Sequence, residues 1–105
     1  MNTRETAQTS DIIKERAKEK SKTPKTYKVI LLNDDYTTME FVTSLLEGLF
    51  QKSPAEAFRL MMKIHTDGQA VCGAYTYEVA ETKVALVYDN AQKEGFPLQA
   101  KLEEG

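Results

Sequence analysis

Three polar residues, Asn33, Asp34 and Asp35, stand together directly after an apolar run of the chain. They supply an amide oxygen and two carboxylates, which are hydrogen-bond acceptors that can hold a cationic group. Residues two apart on an extended chain project the same way, so Asn33 and Asp35 could converge on one point. Asn and Asp also bond their own backbone readily, so the same residues could simply form a turn. The sequence leaves both interpretations open.

His65 is the single histidine of the chain, and Cys72 is the single cysteine. Together with Asp34 or Asp35 they contain the residue types of a cysteine hydrolase. Cys72, however, lies in the middle of an apolar run, where a small buried thiol is common, and no hydrolase signature surrounds it. These residues also lack the ligand spacing of a metal site. We therefore predict neither catalysis nor a metal or other cofactor.

Met39, Met61 and Met62 are unusually dense methionines for a chain of this length. Methionine fills irregular gaps in hydrophobic cores, and it also lines pockets that adapt to varied apolar groups. The periodicity of the sequence does not distinguish core filling from an adaptable pocket.

Short strands and helices must position these residues. Residues Thr26 to Leu32 are β-branched, aromatic and aliphatic, which predicts a strand that ends in a turn at Asn33. Residues Ala70 to Tyr75 predict a second strand, in which Gly73 indicates a bulge or a close approach. Residues Leu98 to Leu102 alternate between apolar and polar side chains and predict a last strand.

Three helices are predicted between these strands from apolar residues that recur at three- and four-residue steps. The start signals are Thr37 with Glu40, Ser53 with Pro54 and Glu56, and Thr76, and the stop signals are Gly68 and Gly95. The order is therefore strand, helix, helix, strand, helix, strand. Helices with apolar stripes must cover one face of a small sheet, which predicts an α+β two-layer sandwich.

Composition limits where the folded part begins. Residues 1 to 25 are mostly charged or polar, with Ile12 and Ile13 as the large apolar residues after Met1. Such a segment buries too little apolar area to offset its ordering entropy, so we predict a flexible N-terminal extension over residues 1 to 25. Residues 26 to 105 are then the folded domain, which is long enough for one modest core.

Net charge limits the classes of binding partner, and the number of cysteines indicates the redox compartment. The net charge of −2 and the pI of about 5.4 argue against nucleic acid as the main ligand. A single cysteine excludes an internal disulfide and is typical of a reducing compartment. No apolar run approaches the roughly 20 residues of a membrane span. We expect a cytoplasmic protein that binds neither nucleic acid nor a membrane.

The same residues carry a resemblance to a known family. Residues Tyr27 to Val42 (YKVILLNDDYTTMEFV) resemble the opening of the ClpS adaptors. The resemblance continues through Leu60 to His65 (LMMKIH), Cys72 and Gly73, Glu78 to Lys83 (EVAETK), and Pro97 and Leu98. It covers about residues 27 to 102, and the Asn-Asp-Asp-Tyr-Thr motif followed by Met-Glu-Phe-Val is long and specific.

The resemblance implies an adaptor of the ClpAP protease that recognises destabilising N-terminal residues, chiefly Leu, Phe, Tyr and Trp, in the N-end rule (N-degron) pathway. It implies a monomer with a three-stranded sheet packed on three helices, in agreement with the order above. Its partners would be N-degron substrate proteins and the N-terminal domain of the ClpA unfoldase, and its extension would be engaged by the unfoldase during delivery.

The resemblance also implies roles for individual residues. The α-amino group of the substrate would be bound by Asn33, Asp34, Asp35 and His65. The side-chain pocket would be lined by Thr37, Met39, Val42, Met61, Ile64 and Leu98. The unfoldase would contact Glu78 and Lys83. Two-residue alternation favours Asp35 over Asp34 for the direct contact, although a turn at this point could reverse that preference.

One departure from the family pattern and two rival interpretations remain. Thr38 occupies a position where the family usually has proline, which could loosen the loop before the first helix. The strongest rival to the adaptor is also non-catalytic: a domain that binds internal peptide segments or the unfoldase alone, without reading N-termini. A Cys72-dependent hydrolase is the enzymatic alternative.

Overall fold

The computed structural model describes residues 25 to 105, so the predicted extension, residues 1 to 25, lies outside the described part except for Lys25. Six elements follow one another: β1 (Tyr27–Leu32), α1 (Met39–Gly48), α2 (Pro54–Asp67), β2 (Gln69–Tyr75), α3 (Tyr77–Glu94) and β3 (Gln99–Glu104). The predicted α+β class and element order are confirmed. No helix among these residues is long and apolar enough to cross a membrane.

The sheet has the order β2-β1-β3, with both pairs of strands antiparallel. β1 lies in the centre because it is the most apolar strand, and Val29, Ile30 and Leu31 are all buried. The register shifts between Val29 and Ile30, which pair with Gly73 and Val71. This irregularity confirms the predicted bulge near Gly73.

The core lies between the sheet and the three helices. Val29 and Leu31 of β1 have no exposed surface, and they belong to one cluster with Leu46 of α1, Ile64 of α2 and Val87 of α3. Because all three helices contribute buried residues to this cluster, the apolar stripes seen in the sequence face one shared core.

The helix starts agree with the sequence in one case and differ in another. Ser53 caps α2 by accepting from the Glu56 N–H at 3.2 Å, and Pro54 occupies the first turn, as predicted. The predicted cap of α1 at Thr37 is wrong. Thr38 is the N-cap, and its hydroxyl accepts from the Phe41 N–H at 3.1 Å.

Two further starting contacts also differ from the prediction. The Glu56 carboxylate pairs with Arg59 of the next turn. Thr76 is the N-cap residue of α3, as predicted, but its side chain makes no capping hydrogen bond. The stop signals are confirmed, because Gly68 (φ 90°) and Gly95 (φ 75°) end α2 and α3 in the left-handed conformation that glycine adopts most easily.

Candidate functional site

A cavity of about 230 Å³ opens where the end of β1 meets the start of α1 and the last turns of α2. It is lined by Asn33, Asp34, Asp35, Thr37, Met39, Val42, Met61, Ile64 and His65. Residues from separate parts of the sequence therefore meet at one place. Nine of the ten residues for which the family resemblance implies ligand binding line this cavity, and the tenth, Leu98, does not.

The backbone joins the two halves of the site. The N–H of Asn33 donates to the carbonyl of Gly68 at 2.9 Å, which ties the end of β1 to the end of α2. Gly68 follows α2 directly, and His65 lies in its last turn. This bond brings the polar segment after β1 beside the imidazole.

The Asp34 carboxylate accepts hydrogen bonds from its own loop. Its Oδ1 accepts from the backbone N–H groups of Tyr36 at 2.8 Å and of Thr37 at 2.7 Å, and its Oδ2 accepts from the Thr37 hydroxyl at 2.7 Å. Partial burial acts to raise the pKa of this carboxyl, but the hydrogen bonds from Thr37 and Tyr36 outweigh it, so the pKa lies below its ordinary value. Asp34 therefore shapes the loop as an anion.

The same bonds explain why Thr37 does not cap α1. Its N–H and its hydroxyl both donate to Asp34, which places Thr37 in the turn before α1, and the helix begins one residue later with Thr38 as its N-cap. Turn formation, one of the two alternatives that the sequence left open, is thus the role of Asp34.

Asn33, Asp35 and His65 are exposed at the polar side of the cavity. Within residues 25 to 105, no hydrogen bond occupies any of these three side chains. They offer an amide, a carboxylate and an imidazole to a ligand, and each can accept a hydrogen bond. Among residues 25 to 105, no lysine or arginine lines the cavity with them. The polar side of the site therefore suits a cation.

The opposite side of the cavity is apolar. Val42, Met61 and Ile64 line it while each remains at most 6% exposed, so they are core residues with one surface on the cavity. Met39 begins α1 and is 42% exposed, which places it at the rim. Met62 does not line the cavity and packs against the core. The methionines thus serve both purposes that the sequence left open.

Leu98 does not line this cavity. It is 2% exposed, belongs to the core cluster, and lines a separate depression beside Tyr88, Ala91 and Phe96. The residue precedes β3 directly. Its assignment to the side-chain pocket therefore has no support from the lining of the cavity.

Cys72 lies in the core and not in the cavity. Its side chain is 1% exposed, and burial raises the pKa of the thiol to about 11. A thiol with such a pKa is almost entirely protonated at neutral pH, whereas the thiolate is the nucleophile. The geometry and the protonation state both argue against the hydrolase alternative.

Glu78 and Lys83 lie on α3, away from the cavity, and differ in their surroundings. Glu78 is exposed in the first turn. The Lys83 ammonium donates to the carbonyl of Leu49, the residue that ends α1, at 2.7 Å, and lies 5.5 Å from the ring centre of Tyr75. Sequence reasoning missed this structural contact, because it joins residues far apart in the chain.

A larger depression, of about 560 Å³, lies between α1 and α3. Its polar residues include Lys93 beside Asn90 and Glu94, so it does not gather acceptors around an apolar wall. The smaller cavity is the better candidate for a ligand-binding site, because hydrogen-bond acceptors line one side of it and apolar side chains line the other.

This fold and site define a small α+β ligand-binding domain whose cavity suits a cation attached to an apolar group. The family model "ATP-dependent Clp protease adaptor protein ClpS" matches residues 22–101. The chain therefore belongs to the ClpS family of protease adaptors.

Curated relatives that match most of this chain carry the same family name. The ATP-dependent Clp protease adapter protein ClpS of Nitratidesulfovibrio vulgaris (strain DSM 19637 / Miyazaki F) is 56% identical over 81 residues, which are 77% of this chain and 81% of the relative. That of Caulobacter vibrioides (strain NA1000 / CB15N) is 53% identical over 87 residues, which are 83% of this chain and 80% of the relative.

A solved structure has the same fold. The structure of Agrobacterium tumefaciens ClpS2 bound to L-phenylalaninamide superposes with a TM-score of 0.76 at 43% identity, and the match covers 79% of this chain and 100% of the other.

Proposed function

We propose that this adaptor binds proteins whose N-terminal residue is Leu, Phe, Tyr or Trp and delivers them to the ClpA unfoldase of the ClpAP protease. Binding would modulate which substrates ClpA takes. The observation that carries the proposal is the division of the cavity, in which Asn33, Asp35 and His65 stand beside the apolar wall of Val42, Met61 and Ile64.

A free protein N-terminus has both chemical groups that the cavity suits. An α-amino group has a pKa of about 7.7 to 8.0 and is mostly cationic at neutral pH. The first side chain leaves the same Cα atom, so the cation and the apolar group lie a fixed, short distance apart. An internal segment of a chain has no such cation.

In the proposed complex the ammonium donates to Asn33, Asp35 and His65. A hydrogen bond to a charged group contributes about 1.5 to 3 kcal/mol, and burial of a Leu or Phe side chain contributes about 1.5 to 3 kcal/mol. After the costs of association, these terms are consistent with a Kd on the order of a micromolar or below. Asp34 supports the complex through the loop, because its carboxylate is already bonded to Tyr36 and Thr37.

The same chemistry determines which N-termini are rejected. Acetylation keeps the apolar side chain but removes the cation and leaves the acceptors unpaired. A charged first side chain loses hydration against the apolar wall without gaining a partner there. Met39 stands at the rim, where it would exclude the β-branched Ile and Val.

The Agrobacterium relative supports the ligand class. L-phenylalaninamide, the molecule bound in that structure, joins a free α-amine to an aromatic side chain. These are the two groups for which the present cavity has complementary sides.

Delivery would use α3. Glu78 is exposed there and is the better candidate for direct contact with the N-terminal domain of ClpA. The Lys83 ammonium already donates a hydrogen bond to the carbonyl of Leu49. The adaptor would act as a cytoplasmic monomer and would perform no catalytic step.

The proposal is tested by reconstitution of degradation. A folded reporter beginning with Leu is incubated with ClpA, ClpP and ATP, with and without the full chain. The adaptor should accelerate degradation of this reporter and leave a copy beginning with Ser unaffected. Equal acceleration of both reporters would indicate the rival function, a regulator of the unfoldase that does not read N-termini.

A further inference from the structure

Another depression, of about 370 Å³, adjoins the cavity proposed to bind the N-terminus of a substrate, and it is called the second depression below. It shares the Asn33–Asp35 segment with the first cavity, and its other walls are Leu32, Tyr36, Pro97 and Gln99. The first cavity extends from this segment towards α1 and α2, whereas the second extends towards the start of β3. The segment therefore separates two depressions that open beside each other.

The second depression has an unusual aromatic wall. Tyr36 is 76% exposed, although its backbone N–H is fixed by the 2.8 Å hydrogen bond to Asp34. Pro97 is also exposed, and Leu32 is half-buried. An aromatic ring on an anchored turn, beside a proline ring and an aliphatic side chain, presents apolar contact area to a ligand at little cost in ordering.

The position of the two depressions matches the geometry of an extended chain. Successive side chains of an extended peptide point to opposite sides and are about 3.3 Å apart along it. When the first side chain fills the cavity beside Met61 and the α-amino group lies at Asn33 and Asp35, the second side chain is directed away from α2. That direction leads to the depression of Tyr36 and Pro97.

We propose that the depression formed by Leu32, Tyr36, Pro97 and Gln99 is a subsite for the second residue of the bound protein and favours a large apolar or aromatic side chain there. The inference rests on the proposed function, since it needs an N-terminus in the first cavity. It adds a second position to substrate selection, with Tyr36 as the specificity-determining residue.

The test is fluorescence anisotropy of the full chain with peptides that begin Leu-Ala, Leu-Phe and Leu-Ala-Phe and are otherwise identical. Leu-Phe should bind roughly fivefold more tightly than Leu-Ala, as expected for partial burial of one aromatic ring. Leu-Ala-Phe should show no gain, because its third side chain points the other way. Tyr36→Ala should abolish the Leu-Phe gain and leave the affinity for Leu-Ala unchanged.

Phe58→Ala is the matched control, because Phe58 is also an exposed aromatic residue, at 58%, but lines neither depression. This variant should keep the Leu-Phe preference. Equal affinity of the wild-type chain for Leu-Ala and Leu-Phe, a gain that survives Tyr36→Ala, or an equal gain for Leu-Ala-Phe overturns the subsite while leaving N-terminal recognition intact. Failure of the Leu-Ala peptide itself to bind overturns the proposed function, and the subsite with it.

Discussion

Thr37 donates to Asp34 twice, once from its hydroxyl to Oδ2 and once from its backbone N–H to Oδ1, both at 2.7 Å. These bonds close the turn between β1 and α1. They leave Asp35 exposed beside Asn33 and His65 at the polar side of the cavity. Two neighbouring carboxylates thus differ in their surroundings, because Asp34 is bonded within the loop and Asp35 is exposed at the cavity.

This division predicts different effects of two similar substitutions. Asp34→Ala removes three hydrogen bonds to a carboxylate, so the free energy of unfolding should fall by about 1 to 3 kcal/mol, and peptide affinity should fall with it. Asp35→Ala should leave the free energy of unfolding within about 0.5 kcal/mol and reduce peptide affinity by at least about tenfold. Urea unfolding and fluorescence anisotropy measure the two effects. Wild-type affinity in Asp35→Ala would refute its contact with the ammonium.

The lowered pKa of Asp34 predicts a dependence of stability on pH. A carboxyl whose pKa is lower in the folded state contributes stability above its unfolded value, near 3.8, and loses that contribution as the pH falls through the folded value. The difference in unfolding free energy between the wild-type chain and Asp34→Asn should therefore be largest near neutral pH and shrink below about pH 4. Urea unfolding between pH 7 and pH 2.5 measures it. A difference that stays constant over this range would contradict the assignment.

Met39 at the rim predicts a change in selectivity. Met39→Ala opens the cavity beside the Cβ atom of the first residue, so peptides that begin with Ile or Val should gain about tenfold or more in affinity, while Leu peptides should change less. Met62→Ala is the control, because Met62 is on α2 but does not line the cavity. Anisotropy with Leu, Ile and Val peptides gives the comparison. No gain for Ile or Val in Met39→Ala would exclude the rim as the source of this selectivity.

Lys83 and Glu78 should differ in what they contribute. Lys83→Ala removes the hydrogen bond to the Leu49 carbonyl, so it should lower the free energy of unfolding by about 1 kcal/mol in addition to weakening contact with the unfoldase. Glu78→Ala should weaken binding to the N-terminal domain of ClpA without a loss of stability. Calorimetric titration with that domain and urea unfolding separate the two effects. A Lys83→Ala variant as stable as the wild-type chain would show that the contact with Leu49 is dispensable.

Local signals in the sequence predicted the elements well. Helix starts and ends depend on contacts within one helical turn, as at Ser53 with Pro54 and at Gly68 and Gly95. The residue types next to each end are therefore enough to predict it. The structure that follows β1 depends less on such local signals. Thr37 has the correct spacing for a cap, but its bonds to Asp34 place it in the turn, and Thr38 caps α1 instead. The sequence alone does not show which of these two neighbouring threonines begins the helix.

The residues that line the cavity were named largely through the motif resemblance and partly through alternation along the strand, and their roles in ligand binding stay predictions. Asn33, Asp35 and His65 meet because the Asn33 N–H bonds to Gly68, a contact between distant parts of the chain that periodicity does not reveal. For the same reason the depression beside Tyr36 and Pro97 and the contact of Lys83 with Leu49 were missed. Leu98 was assigned to the pocket by resemblance alone, and it lines a separate depression beside Phe96 and not the cavity of Met61 and Ile64, so its assignment stays a prediction.

The most direct test of N-terminal recognition is fluorescence anisotropy with a labelled peptide that begins with Leu, an N-acetylated copy, and a copy that begins with Ser. Recognition of the α-amino group predicts saturable binding of the free Leu peptide with a Kd on the order of a micromolar or below, and at least about a hundredfold weaker binding of the other two. Equal binding of the free and acetylated Leu peptides, or binding of neither, would contradict recognition of the α-amino group by Asn33, Asp35 and His65.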